Sequence, residues 1–257
     1  MCPLSIQTSE GRPIHSVKDW FCLAPPKGDK EQWKDRRSAK ELAKAWFKTG
    51  VPRVPEDLEV LFKSHPATGD LVVEIAIPEM VTQLDNFGGE QRNHDLILVG
   101  HVGDIRMLVA IEAKADEEFG PVIQEYRTSK LGTSSKVPER IDLLLDSIFG
   151  RPIDEELGQL RYQLLHGLGG ALIEAKNRGA AQAVFVVHEF ISDKVEQDKL
   201  DRNAADFERL VRTFPGWEET IIRTGTLIGP IQVPGPGGEF VPRDIPFLIG
   251  KATTNLI

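Results

Sequence analysis

Apolar spacing changes several times along the chain and divides it into helical and strand-forming stretches. Residues 1–30 show no sustained period, and Pro25, Pro26 and Gly28 mark a loop. Ser38 with Glu41 three residues on reads as a capping box, which predicts a helix from Ser38 to about Lys48, stopped by Gly50. A second helix opens with Pro55 as its first residue, carries Leu58, Leu61 and Phe62 on one side, and stops near His65 and Pro66. From Leu71 the pattern turns to short runs rich in β-branched residues, predicting strands at 71–77, 95–99 and 105–115. A helix follows at 138–149, then a longer one at 154–176 with Leu157, Leu160, Leu164, Leu168, Leu172 and Ala175 on one stripe. The run 181–187 is a buried strand, and a helix is expected near 204–213. Strand-like segments at 226–233 and 245–252 flank a Gly/Pro loop at 234–238 and either extend the sheet or form a hairpin flap. Helices, three strands, helices and a further strand predict an α/β layer fold around a central mixed β-sheet. Without internal repeats or linker composition, residues 1–257 read as one domain, with a core at about 38–190, an N-terminal extension at 1–37 and a C-terminal elaboration at 191–257.

Composition narrows the class. A 40% hydrophobic and 27% charged chain has material for a sizeable core and excludes intrinsic disorder. The longest apolar runs, 107–111 and 183–187, are strand length, well short of the roughly 18 residues a membrane helix needs. Two cysteines, Cys2 and Cys22, exclude a disulfide framework. The N-terminus lacks a secretory pattern, so a cytoplasmic location is expected. A net charge of -8 excludes coating nucleic acid by bulk charge, so any such contact must be local. The segment 30–48, rich in Lys and Arg with Trp33 and Trp46 interleaved, reads as a solvated helix face over a Trp-anchored core; the second reading is a phosphate track using Lys40 and Lys44.

The candidate chemistry lies in a hairpin. Gly103 and Asp104 form a two-residue loop, and Gly in first place suits a type II′ turn. Pairing Val102 with Ile105 then sets His101 against Arg106, Val99 against Leu108, Ile97 against Ala110, and Asp95 against Glu112. Lys114, two residues on, shares the face of Glu112. Opposed carboxylates repel, by a few tenths to about 1 kcal/mol in a cross-strand pair. A hard divalent cation removes that objection, and beside a lysine it supplies the parts for phosphodiester hydrolysis.

Asp95 followed on the next strand by Glu112-Ala113-Lys114, in this order of elements, resembles the PD-(D/E)XK phosphodiesterase superfamily, the fold of many restriction endonucleases and repair exonucleases. The resemblance covers about residues 38–190. It implies a restriction-endonuclease-like three-layer sandwich with terminal elaborations. Asp95 and Glu112 would be metal ligands, the Ala113 carbonyl a further ligand, and Lys114 the catalytic lysine. The cofactor implied is Mg²⁺, with Mn²⁺ as substitute, and the substrate nucleic acid, DNA by preference. His94 stands where the superfamily has Pro, a position that contributes no ligand. The stretches 111–120 and 161–166 are also similar to an uncharacterised bacterial group within the superfamily. The alternative function is a catalytically inactive member that binds nucleic acid or protein; a homodimer is compatible with either.

Other residues are auxiliary candidates. Gln159 and Gln163 lie one turn apart, away from the Leu stripe, where a superfamily helix places a Gln near the metal water; a solvated face is the other reading. Arg161 falls within the stripe and either snorkels or reaches a phosphate. Gly167, Gly169 and Gly170 imply close packing or a helix break. Glu74 either assists the metal site from a neighbouring strand or is a hydrogen-bonded edge residue. The histidines show no zinc spacing with cysteine.

Overall fold

The computed structural model describes residues 4–256, so Cys2 lies outside the described residues. The β-rich runs form a meander of three long strands, β2 (Val72–Thr82), β3 (Arg92–Val102) and β4 (Ile105–Lys114). Across the β3–β4 hairpin, Val102 pairs with Ile105, His101 with Arg106, Val99 with Leu108 and Ile97 with Ala110. This is the register that the two-residue loop demands. Gly103 has φ 56°, and Asp104 is not among the residues of positive φ, as a type II′ turn requires.

The remaining strands are β1 (Ser5–Ile6), β5 (Gln182–Ile191), β6 (Thr226–Ile231) and β7 (Phe247–Asn255). All seven join one mixed sheet in the order β1-β2-β3-β4-β5-β7-β6. β5 runs parallel to both β4 and β7, and β6 pairs antiparallel with β7. The C-terminal segments therefore extend the sheet and form no flap.

Strand alternation buries two sets of side chains, one on each face. On one face α1 (Val17–Leu23), α2 (Ser38–Trp46) and α3 (Glu56–Lys63) contribute Trp20, Leu42, Trp46, Leu58 and Leu61, packed over Leu96, Leu98, Val109, Val184 and Val186. On the other, Ile97, Val99, Leu108, Phe185 and Ile249 meet Leu144 and Ile148 of α5 (Val137–Phe149), Leu164, Leu168 and Leu172 of α7 (Tyr162–Asn177), and Phe207 of α8 (Gln197–Arg212). The result is an α/β/α arrangement of layers. Among the described residues, no helix is long and apolar enough to cross a membrane.

Several expectations are corrected. The N-terminal 30 residues contain β1 and α1, the latter capped by Ser16 Oγ, which accepts from Asp19 N–H at 3.0 Å. Ser38 is the first helical residue of α2, and Arg37 is its N-cap. The Ser38 hydroxyl donates to Glu117 at 3.0 Å, and Glu41 accepts the Arg36 N–H at 2.7 Å, so the expected reciprocal pair does not form. Pro55 is the N-cap of α3 rather than its first helical residue. A polar helix, α4 (Ile123–Lys130), was not expected.

The expected helix at 154–176 is two, a short α6 (Glu155–Gly158) and α7. The chain between them extends at Arg161, which bridges to Val122. The glycines do not break α7. A Cβ on Gly170 would lie 2.7 Å from His94 Nε2 and 2.9 Å from Arg92 Cγ, and one on Gly167 would lie 2.9 Å from Phe185. They are contact points of helix on sheet, as the close-packing alternative expects.

One irregularity positions the site. Glu79 in β2 has φ 52°, in the left-handed region, and lies across from Asp95 between the pairs Pro78–Leu96 and Met80–His94. The faces exchange there. Ile75, Ile77, Ile97 and Val99 point into the α5–α7 layer before the kink, whereas Met80, Arg92 and His94 reach that same layer after it.

Candidate active site

The β4 strand ends with Glu112 and Lys114 turned towards α7, and the end of the hairpin brings Asp95 beside them. Glu112 is 0% exposed. Its Oε1 accepts from Lys114 Nζ at 2.6 Å and from Gln163 Nε2 at 2.5 Å, and its Oε2 accepts from Arg92 Nη2. The β3–β4 ladder stops at Leu96–Ile111, one pair short of Asp95 and Glu112. There Asp95 Oδ2 takes the Ala113 N–H at 2.7 Å, so the side chain continues the pairing that the backbone ends. Lys114 is 5% exposed, with Nζ 5.3 Å from the centroid of the Phe119 ring.

Glu112, despite burial that would raise it, is held well below the usual carboxylate range by the charges and hydrogen bonds of Lys114 and Arg92. Asp95 is pushed up by burial and by repulsion from Glu112, against the pull of Lys114, Arg92 and the Ala113 N–H. Glu79 rises to about 8, first through burial and then through repulsion from Asp95, while Asn93 and Arg92 oppose the rise. Burial and the Arg92 charge keep His94 and His166 well below the usual histidine range. His94 Nδ1 accepts from Arg92 Nε at 3.4 Å, and His94 Nε2 and His166 Nδ1 are buried without a hydrogen-bond partner.

Among the described residues, no three His, Cys, Asp or Glu side chains are arranged to hold a metal ion. Arg92 and Lys114 supply the positive charge on Glu112 instead. Asp95 and Glu112 are carboxylates, the donor chemistry that hard cations take, and a hard cation is held by as few as one or two of them with waters completing its shell. Asp95 and the Oε2 side of Glu112 are the groups that would hold one, with the Arg92 guanidinium displaced from Oε2. Ala113 is engaged through its N–H, to Asp95.

The structure sorts the other candidates. Gln163 reaches Glu112, and Gln159 is exposed at the break before α7. Glu74 sits at a β2 bulge near the hairpin tip, 3.9 Å from His101, and is not at the cluster. Arg161 donates to Asp206 at 2.7 Å and to the Gly120 carbonyl at 2.7 Å, so its guanidinium is held by the protein's own groups. Lys40 and Lys44 pair with Asp35 at 2.9 and 2.6 Å, and Lys44 also with Glu41, on a helix that packs against the opposite face of the sheet. The solvated-face reading of that helix describes them. Two members of the cluster, Arg92 and Glu79, escape sequence reasoning; the nearest signal is the Gly167/Gly170 pair, which leaves the room Arg92 fills.

Residues 13–256 match the model of a family described as a domain of unknown function, DUF6946. No curated protein and no solved structure gives a significant match.

Proposed function

Because the chain belongs to the DUF6946 family, whose description carries no activity, its function has to be read from the site, and we propose a metal-dependent phosphodiesterase that hydrolyses DNA. The observation that carries this reading is the join at the end of β4: Glu112 bonded to Lys114 and Gln163, with Asp95 fixed on the intervening Ala113 N–H. That arrangement, on a sheet covered by helices on both faces, resembles the PD-(D/E)XK site and its restriction-endonuclease-like fold. A bound Mg²⁺ or Mn²⁺ would neutralise charge on the phosphate and lower the pKa of a water.

The chain's own residues do the rest. Gln163 and Lys114 fix the Glu112 rotamer, and the Ala113 N–H fixes Asp95 with its second oxygen free of that bond. Lys114 Nζ lies in a nearly dry site, where it orients the attacking water and meets charge that develops on the phosphate oxygens. One P–O ester bond is exchanged for a bond to the water oxygen, and the leaving oxygen takes a proton. Wild-type protein should cut DNA with Mg²⁺ or Mn²⁺, fail in chelator, and lose rate by orders of magnitude in Lys114→Ala with little loss of binding. Wild type that binds DNA but cuts neither plasmid, linear duplex nor single strands would refute it.

One observation favours a second reading, a non-catalytic binding module of the same fold. The Arg92 guanidinium occupies Glu112 Oε2 with both residues buried, a pairing that is complete without a metal.

A further inference from the structure

A cavity of about 620 Å³ opens beside the Glu112 cluster, and Arg92 belongs to both: it lines the cavity and donates to Glu112. The size is that of a small-molecule site. One wall is aromatic. Tyr126 and Tyr162 meet with ring centroids 5.2 Å apart, and His166 stands edge-on to Tyr162 at 4.6 Å with its buried Nδ1 unpartnered. The opposite character lies next to it. Lys130 Nζ sits 5.5 Å from the centroid of the Tyr126 ring and makes no ion pair among the described residues, and Ser134 and Ser135 line the same cavity.

We propose that this cavity is a nucleotide pocket that receives one unpaired nucleotide of the strand to be cut, its base against Tyr126, Tyr162 and His166 and a phosphate on Lys130. The identity of the strand as substrate rests on the phosphodiesterase reading above. The chemistry follows from the parts. A base needs an apolar, polarisable wall, given by the tyrosine rings and the edge of His166, and a few polar partners, for which Ser134 and Ser135 line the cavity. An ammonium without a carboxylate partner is available to a phosphate. A base held in duplex stacking cannot reach such a wall, so the pocket selects single-stranded or unpaired nucleotides. The net acidic chain confines nucleic-acid contact to local features of this kind.

The test is binding in chelator, where no cleavage occurs, using a short DNA single strand carrying 2-aminopurine and the fully paired duplex of the same sequence. Wild type should quench the 2-aminopurine fluorescence of the single strand and bind it at least about tenfold more tightly than the duplex. Tyr126→Ala should abolish the quenching and weaken binding by about 5- to 150-fold, while Tyr126→Phe retains both. Lys130→Ala should weaken binding and reduce its salt slope by about 0.7. Equal affinity for duplex, no binding of the single strand, or unchanged binding by folded Tyr126→Ala and Lys130→Ala would each overturn the pocket. Quenching that persists in a protein unable to cleave DNA with Mg²⁺ would refute the phosphodiesterase reading and leave the pocket standing.

Discussion

Replacing Arg92 by Met removes a guanidinium that is 3% exposed while keeping an unbranched chain in the space over Gly170. Glu112, at 0% exposure, then keeps Lys114 and Gln163 on Oε1 and loses the partner of Oε2. Breaking a buried ion pair costs roughly 3–5 kcal/mol, and the remaining Lys114 pair places this case at the lower end, about 3 kcal/mol. For a chain of this size such a loss lowers the melting temperature by about 6–12 °C. A divalent ion at the cluster would restore the missing charge, and at a hundred times its dissociation constant it stabilises by about 2.7 kcal/mol. Thermal melts followed by circular dichroism, in chelator and in millimolar Mn²⁺, should therefore show a destabilised variant that recovers most of its loss with metal. The wild type should gain less, because its guanidinium has to leave Glu112 first. A variant within about 1 kcal/mol of wild type in chelator, or a metal-induced shift no larger than that of wild type, would refute this account of the cluster.

Three further outcomes follow from packing and charge elsewhere. Gly170→Ala places a methyl against two buried side chains, so overpacking of about 1–3 kcal/mol should outweigh the helix gain of about 1 kcal/mol and lower the urea midpoint. An unchanged midpoint would show that His94 and Arg92 can yield. Burial would raise Asp57, but its bonds to His188 and Thr254 hold it at about 2, below its ordinary 3.8, so the charged form is favoured in the folded state. That contribution, about 2 kcal/mol, is present above pH 4 and is lost as pH falls through 2; urea midpoints against pH should show Asp57→Asn less stable at pH 7 and with a flatter acid limb. Lys40→Ala, at a surface pair with exposed Asp35, should change stability by less than about 0.5 kcal/mol in the same assay. Lys44→Ala, which also takes a partner from buried Glu41, should cost more, and both should leave the salt dependence of DNA binding unchanged.

The hairpin was legible because a two-residue loop with Gly first leaves one register, and the alternation of the strands then carries Glu112 and Lys114 to one face. Gln163 was singled out by the superfamily resemblance, because its position away from the Leu stripe reads equally as a solvated face. The split between α6 and α7 was not, because Leu157, Leu160 and Leu164 are all buried although the chain between them is not helical, so the stripe runs on through the break. In α4 only Ile123 is buried, which leaves too little apolar period to announce a helix. Arg92 and Glu79 stayed hidden for one reason. Strict alternation sets Arg92 and His94 on the face opposite Asp95, and the left-handed backbone at Glu79 exchanges the faces at that point. Ser38 misled because its hydroxyl serves Glu117 in another segment rather than its own helix.

Anomalous scattering from crystals grown in Mn²⁺ tests the central claim most directly. The account predicts a manganese peak between the carboxylates of Asp95 and Glu112, with the Arg92 guanidinium moved off Glu112 Oε2 and Lys114 still on Oε1. Crystals saturated with Mn²⁺ that show no peak there and retain Arg92 on Glu112 would contradict it and leave the non-catalytic binding module as the reading of this site.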